Sequence, residues 1–199
     1  MARVKPKRHG VVTDMTAMCD VTFLLLTFFI MTTQFKKPDV EQIKPPSSVS
    51  EKLLPDANLM TINITKDGKF YFAAVENSKE RSELLDKMGA KYGVQFSNED
   101  KIAFVKTPAI GVPMNQLKGF LKLPEDQRKN VITKGVPLDS TNKQLIDWVS
   151  ASLEINPEYK LAIKGDGATN YPKVKNLFEG LRDIEFYKFW LITTQETNK

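Results

Sequence analysis

One block of nineteen residues, 15–33, holds most of the concentrated apolar sequence of this 199-residue chain. It reads MTAMCDVTFLLLTFFIMTT, and Asp20 is its only charged residue. As an α-helix the block would be about 28 Å long, close to the roughly 30 Å hydrocarbon thickness of a bilayer. The sequence therefore predicts a single membrane-spanning helix over residues 15–35. The mean hydropathy of the whole chain, −0.32, argues against a protein built mostly from such helices.

Charge on either side of the block predicts its orientation. Arg3, Lys5, Lys7 and Arg8 lie in the tail formed by residues 1–14, and the residues after the block mix both signs. Because basic residues are retained in the cytoplasm, we expect a single-pass protein of the cell inner membrane. Its N-terminus would be cytoplasmic and its C-terminal part periplasmic.

A secretory signal peptide is the alternative interpretation of the same block. A basic start followed by the apolar run 23–31 is typical of such peptides. The residues that follow, Thr32 to Lys36, contain no small-x-small cleavage site, and Cys19 precedes the apolar run rather than ending it. A retained membrane anchor fits the sequence better.

The residues most often used in catalysis are scarce. Cys19 is the only cysteine and His9 the only histidine, so the chain has no disulfide, no cysteine-rich metal cluster and no two-histidine zinc motif of its own. No phosphate-binding loop or dinucleotide fingerprint is present. The net charge of +5 comes without a nucleic-acid-binding module. We predict neither an enzyme nor a cofactor, and no nucleic-acid partner.

The position of Asp20 inside the predicted membrane helix is energetically costly and calls for an explanation. An ionisable carboxyl inside a membrane helix costs about 2.5–3.5 kcal/mol on insertion scales. One reading is structural, with Asp20 reaching the interface or anchoring a neighbouring helix through a hydrogen bond. The other is functional, because a carboxyl group enclosed by protein at low dielectric can bind and release a proton near neutral pH.

Helical spacing places polar residues in one stripe with Asp20. The stripe consists of Thr13, Thr16, Asp20, Thr27 and Gln34, whereas Leu25, Phe28 and Phe29 lie largely off it. Such a stripe favours contact with protein or water over contact with lipid. Since one helix encloses no cavity, we expect a multi-spanning membrane partner to surround Asp20.

The abundance of proline and serine in residues 36–57 predicts an extended linker. For residues 58–199 we predict an α+β domain with a small sheet packed by helices. Alternation at 60–65, an Asp67-Gly68 turn and aromatic residues 70–72 predict a hairpin. Apolar spacing predicts helices over 76–92, 114–121 and 171–182, and strands over 102–105, 159–163 and 187–193. A further helix carries Leu145, Trp148 and Val149, and residues 139–141 are expected to cap it.

Two groups in the domain invite a functional interpretation that we do not favour. Asp166 and Asp183 resemble a carboxylate pair, but the sequence offers no partner base, so a turn and a helix-end charge are expected instead. Trp148 and Trp190 are expected in packing rather than in a ligand cage.

Two stretches resemble the ExbD/TolR family. Thr16 and Asp20, followed by the apolar run, match its membrane signature, with Asp14 where the family has Asn and Ala17 where it has Pro. The run LAIKGD at 161–166, Tyr171-Pro172 and FWLITT at 189–194 look like its periplasmic domain. Residues 76–135 look longer than the usual family core, and nothing in the sequence assigns them a function.

The resemblance implies a role for the chain and for Asp20. In this family the equivalent of Asp20 carries the ion that couples flow to movement, H⁺ or Na⁺, and the match implies a supporting role for Thr16. Thr27 and Thr13 are supporting candidates because helical spacing places them in the polar stripe. The implied partners are an ExbB-like multi-spanning ring, a TonB-like protein, the lipid bilayer and a second copy of the chain as a homodimer. The implied function is a proton-driven motor for outer-membrane import. The alternative is a TolR-like envelope-integrity protein whose periplasmic domain binds peptidoglycan or Tol partners.

Overall fold

The computed structural model describes residues 15–33, 47–48, 58–130, 133–139, 141–192 and 194–195. The chain divides into two compact units, Met1–Lys37 and Pro38–Lys199. The predicted basic tail and most of the predicted linker lie outside the described residues. Where it is described, the fold is α+β.

The first unit contains α1, Thr16–Thr32. None of its side chains is buried, and large apolar side chains are exposed all around it, among them Phe23 at 63% and Phe29 at 62%. Ile30 and Leu24 continue this surface. Within the described ranges, no helix combines the length and the apolar content that crossing a membrane requires.

A four-stranded mixed sheet organises the second unit. Its strands are β2 (Leu59–Ile64), β3 (Phe70–Ala73), β4 (Lys160–Gly165) and β5 (Phe189–Ile192), in the order β3-β2-β4-β5. β2 pairs antiparallel with β3 and parallel with β4, and β4 pairs parallel with β5. A separate two-residue ladder joins β1 (Ser47–Ser48) to β6 (Thr194–Gln195) in parallel. The predicted hairpin and the predicted strands at 159–163 and 187–193 are therefore present, with small shifts in their ends.

Six helices accompany the sheet among the described residues. They are α2 (Ser78–Tyr92), α3 (Asn98–Lys106), α4 (Met114–Leu121), α5 (Glu125–Asn130), α6 (Gln144–Ile155) and α7 (Tyr171–Asp183). α2 ends at Gly93, whose φ of 69° is the left-handed conformation that glycine adopts without steric cost. The predicted helices over 76–92, 114–121 and 171–182 are confirmed within two residues at each end.

The core brings the sheet and the helices of both halves of the sequence together. Trp148 is fully buried on α6, and its ring stacks on Phe72 of β3 and on Phe104 of α3, with centroid distances of 6.0 and 5.8 Å. Ile62 and Ile163 face this core from adjacent strands. Trp148 is thus a packing residue, as predicted, and Trp190 is half-buried on β5.

Residues 76–135 are part of this core and also cover one edge of the sheet. Phe72 and Ile110 exchange two backbone hydrogen bonds of 2.9 and 2.7 Å, and the amide of Val136 donates to the carbonyl of Phe70 at 2.8 Å. The outward backbone groups of Phe72 and the carbonyl of Phe70 are thereby paired, and exposed pairing groups are what make an edge strand prone to association. The extra segment supplies core and an edge cover rather than a separate domain.

Two local predictions were wrong. Residues 102–105 were expected to form a strand because they include Ile102, Phe104 and Val105, but they lie in α3. Ser97 and Asp100 form a reciprocal capping box at its start, and this box initiates a helix that β-propensity alone would not. Asp139 and Thr141 do not cap α6, which begins after Lys143 without a side-chain cap, and Ser140 lies outside the described residues.

Candidate functional site

Asp20 lies in the second turn of α1, and the helix places two of the predicted supporting residues on its face. At 100° per residue, Thr16 is about 40° and Thr27 about 20° around the axis from Asp20. Thr13 and Gln34, the outer members of the predicted stripe, lie outside the described residues. Thr16, Asp20 and Thr27 therefore lie on one face of α1, whereas the predicted positions of Thr13 and Gln34 are not tested. Ala17, at the position where the family has proline, lies in the first turn.

Hydroxyl groups along α1 donate to the helix backbone. Thr27 Oγ1 donates to the carbonyl of Leu24 at 2.9 Å, and Thr22 and Thr32 make the same kind of bond, each at 2.8 Å, to Met18 and Phe28. This internal bonding lowers the cost of placing a hydroxyl in an apolar environment. Thr27 is also the one half-buried side chain of the helix.

Asp20 contrasts with these threonines. Its side chain is exposed, and no described residue donates a hydrogen bond to it or forms an ion pair with it. The hydroxyls of Thr22, Thr27 and Thr32 are thus bonded within the helix, whereas the Asp20 carboxylate is exposed on its surface. Groups on α1 alone do not enclose it.

The carboxylates of the second unit behave as the structural interpretation predicts. Asp166 Oδ1 accepts from the amide of Ala168 at 2.9 Å, in the turn after β4. Asp183, at the end of α7, bonds Lys143 Nζ at 2.5 Å. The hydrogen bond and charge of Lys143 lower the pKa of Asp183. These two aspartates serve separate structural contacts and do not form a catalytic pair.

Two open clefts lie on the second unit, and neither gathers a catalytic set. One, of about 340 Å³, is lined by Asp139, Lys143, Glu179 and Asp183 between the start of α6 and the end of α7. The other, of about 390 Å³, lies where Tyr92, Pro113, Asn142 and Gln144 meet. Among the described residues, no group of three or more His, Cys, Asp or Glu side chains is placed to hold a metal ion.

Sequence reasoning missed the buried charge Arg81. It is 3% exposed, and its Nη2 donates to the carbonyl of Phe104 at 3.0 Å and to that of Thr107. The guanidinium lies 5.3 Å from the centre of the Phe104 ring. Burial lowers its pKa, and the charge of Glu76 opposes this effect. Helical spacing could have indicated the burial of Arg81, because residue 81 precedes Leu84 and Leu85 by one turn on the apolar face of α2.

The described chain thus combines an apolar helix that carries one carboxylate with an α+β domain. The chain belongs to the ExbD/TolR family, because the family model described as "Biopolymer transport protein ExbD/TolR" matches residues 6–196. The match includes α1, the sheet and the extra segment 76–135. No curated protein and no solved structure gives a significant match to the chain. Membership in the family implies biopolymer transport.

Proposed function

We propose that this chain is the ion-coupled, ExbD-like subunit of an inner-membrane motor. In this proposal residues 15–35 cross the membrane, Asp20 binds and releases the coupling ion, and the second unit works in the periplasm. The observation that carries it is the position of Asp20. It is the only charge on a helix whose other described side chains are apolar or hydroxylated.

Enclosure of Asp20 requires a partner. The apolar surface of α1 is exposed on every side, so a multi-spanning, ExbB-like ring would cover it and form the ion path next to the carboxylate. A second copy of the chain in the same ring would present a second Asp20. Alternate loading of the two carboxylates would then convert ion flow into movement.

The energy available per ion limits the mechanism. Each proton crossing the membrane delivers about 2.3 kcal/mol per 100 mV. One ion therefore supports only a small step, and work on a TonB-like partner would accumulate over several ions.

The test of this proposal is Asp20→Asn, made as the only copy of the protein in its own cell. Asparagine keeps the size of the side chain and cannot lose a proton, so uptake of a substrate whose import depends on this chain should be abolished. Membrane insertion should be unimpaired, because removing a charge lowers the cost of insertion. Asp20→Glu should retain part of the activity.

Asp86→Asn is the matched control, because Asp86 is an exposed aspartate whose only described partner is Lys101, at 2.7 Å. It should retain full uptake. Full uptake by Asp20→Asn would contradict the proposal. Normal uptake together with a leaky envelope in Asp20→Asn would favour the TolR-like alternative. Co-purification from membranes should recover a multi-spanning protein with both variants.

A further inference from the structure

Five lysines collect at one end of the sheet in the second unit. They are Lys66 and Lys69 at the β2–β3 turn, Lys134 in the segment that follows α5, Lys164 near the end of β4 and Lys173 in the first turn of α7. We call this group the lysine end. Parallel pairing of β2 with β4 brings residues 63–64 beside residues 164–165, so four different segments meet there.

Two glycines bring these segments into close contact. A Cβ atom on Gly68 would lie 2.9 Å from Cγ of Lys173, and one on Gly135 would lie 3.0 Å from Cβ of Lys69. Both glycines have positive φ, 74° and 83°. The apolar stems of Lys69 and Lys173 therefore pack against backbone.

Little negative charge opposes the lysine end. Asp67 lies 4.0 Å from Lys69, and Asp166 already accepts from the amide of Ala168. Lys66, Lys134 and Lys173 form no ion pair with any described residue. Five lysines and two aspartates leave this end with a net charge of about +3.

The other end of the same sheet carries charges of both signs that nearly cancel. Glu76, Glu80 and Glu83 around the start of α2 are accompanied by Lys79 and Arg81. Glu154 in the last turn of α6 pairs with Lys87 at 3.4 Å, and Glu158 lies two residues before Lys160 at the start of β4. The Tyr159 hydroxyl donates to Glu80, which places these two groups side by side. An anionic surface would therefore attract the lysine end more strongly than the other end, so the charge distribution favours one orientation of the domain.

We propose that the lysine end docks on the anionic lipid headgroups of the bilayer that anchors α1. This inference rests on the proposed function, which places α1 in the membrane. The 13 residues 34–46 between α1 and β1 span at most about 45 Å, so the domain is tethered to the bilayer that would contain α1. Each lysine near an anionic bilayer strengthens binding about fivefold.

Exposed side chains beside the lysines favour lipid over a soluble polyanion. Tyr171 is 72% exposed two residues before Lys173, and Leu191 is 58% exposed near the end of β5. Tyrosine is enriched at the level of lipid headgroups, where its ring meets apolar chains and its hydroxyl meets water. Neither side chain would contribute to binding a purely charged polymer.

The experiment places the full chain in vesicles and measures the distance of the domain from the lipid. On a Cys19→Ser background, a donor dye is attached at Asn170→Cys, next to the lysine end, or at Ser78→Cys, at the other end of the sheet. Acceptor dyes are on the lipid headgroups. Vesicles of phosphatidylcholine alone are compared with vesicles that also contain phosphatidylglycerol.

We expect energy transfer from residue 170 to rise only with phosphatidylglycerol, and transfer from residue 78 to stay low. Salt at about 1 M should abolish the rise, because the Debye length falls to about 3 Å. The triple variant Lys66→Gln, Lys134→Gln, Lys173→Gln should lower the docked-to-free ratio about a hundredfold, since three factors of about five multiply. Glutamine keeps the Cγ that contacts Gly68.

The matched control is Lys79→Gln, Lys122→Gln, Lys160→Gln, which removes the same charge from exposed positions away from the lysine end. It should dock as the unaltered chain does. Equal transfer in both kinds of vesicle, or an equal loss in the control, would overturn the inference. So would binding of a soluble acidic polymer that competes fully with the anionic lipid.

The vesicle experiment also separates failure of the proposed function from failure of docking. If α1 did not insert, the chain would not float with phosphatidylcholine vesicles at all. Lysine-dependent flotation with phosphatidylglycerol vesicles would then still support docking, and its absence would contradict it.

Discussion

Lys143 and Asp183 illustrate how single charges act in this domain. The pair joins the residue before α6 to the last residue of α7, and both side chains are about half exposed, at 46% and 49%. Surface pairs of this kind contribute little to stability. Their measurable effect is on titration, because Lys143 lowers the pKa of Asp183 through a hydrogen bond and through its charge.

Lys143→Met should raise the pKa of Asp183 toward its ordinary value of about 3.9. In the unaltered chain the contribution of the pair is present above that value and is lost as pH falls through the lowered folded-state pKa. NMR titration of the Asp183 carboxyl carbon measures the change. Lys175→Met, which removes the partner of Glu179 at 3.7 Å, should leave Asp183 unchanged. An unchanged Asp183 in Lys143→Met would show that the pair does not form in solution.

At the scale of elements, the crossing of the extra segment over β3 depends on one glycine. A Cβ atom on Gly111 would lie 2.3 Å from the ring of Tyr71 and 2.7 Å from Oγ1 of Thr133. Thr133 also donates to the Tyr71 hydroxyl at 3.1 Å, so these neighbours hold each other in place. Residue 111 directly follows Ile110, whose backbone pairs with β3.

Gly111→Ala should destabilise the domain by about 1–3 kcal/mol, because the added methyl group forces Tyr71 or the segment to move. Gly119→Ala is the control within the same segment. A Cβ atom there meets nothing within 4 Å, and alanine in a helix is favoured over glycine by about 1 kcal/mol. Urea unfolding followed by tryptophan fluorescence should therefore show changes of opposite sign. A stabilising Gly111→Ala would mean that the segment does not lie on β3.

At the scale of the whole molecule, two tyrosines join the extra segment to the rest of the domain. The Tyr92 hydroxyl of α2 donates to Asp147 of α6, and the Tyr159 hydroxyl beside β4 donates to Glu80 of α2. Burial raises the pKa of both tyrosines, and the bond and charge of each carboxylate raise it further.

This arrangement makes the domain sensitive to alkali. A tyrosine whose folded-state pKa lies above its unfolded value of about 10 stabilises the fold fully below pH 10, and this contribution is lost as pH rises toward the folded-state pKa. The double variant Tyr92→Phe, Tyr159→Phe should be about 1–3 kcal/mol less stable at neutral pH and should lose stability less steeply above pH 10.

Denaturant unfolding at several pH values measures both effects. Tyr171→Phe, Tyr187→Phe is the control, because those tyrosines are 72% and 68% exposed. It should match the unaltered chain at every pH. A Tyr92→Phe, Tyr159→Phe variant whose stability fell as steeply above pH 10 as that of the unaltered chain would contradict the assignment.

Local patterns in the sequence were sufficient for many of the elements. Helices over 78–92 and 114–121 follow from apolar spacing, and Gly93 marks the end of the first. The failure at 102–105 has a clear cause, because Ser97 and Asp100 act through a cap while Ile102 and Val105 suggested a strand. Capping depends on two side chains and two amides, which hydrophobic periodicity does not register.

The sequence predicts a role for Asp20 because its environment, the apolar run, is contiguous along the chain. The family match rests on similarly local features. Arg81, the edge cover over β3 and the lysine end depend on residues that are far apart in the chain and meet only after packing. Local chemistry therefore determined the ionisable helix and most elements, whereas tertiary structure alone decided which charges are buried, which sheet edge is closed and where positive charge gathers, since those properties arise from long-range contacts.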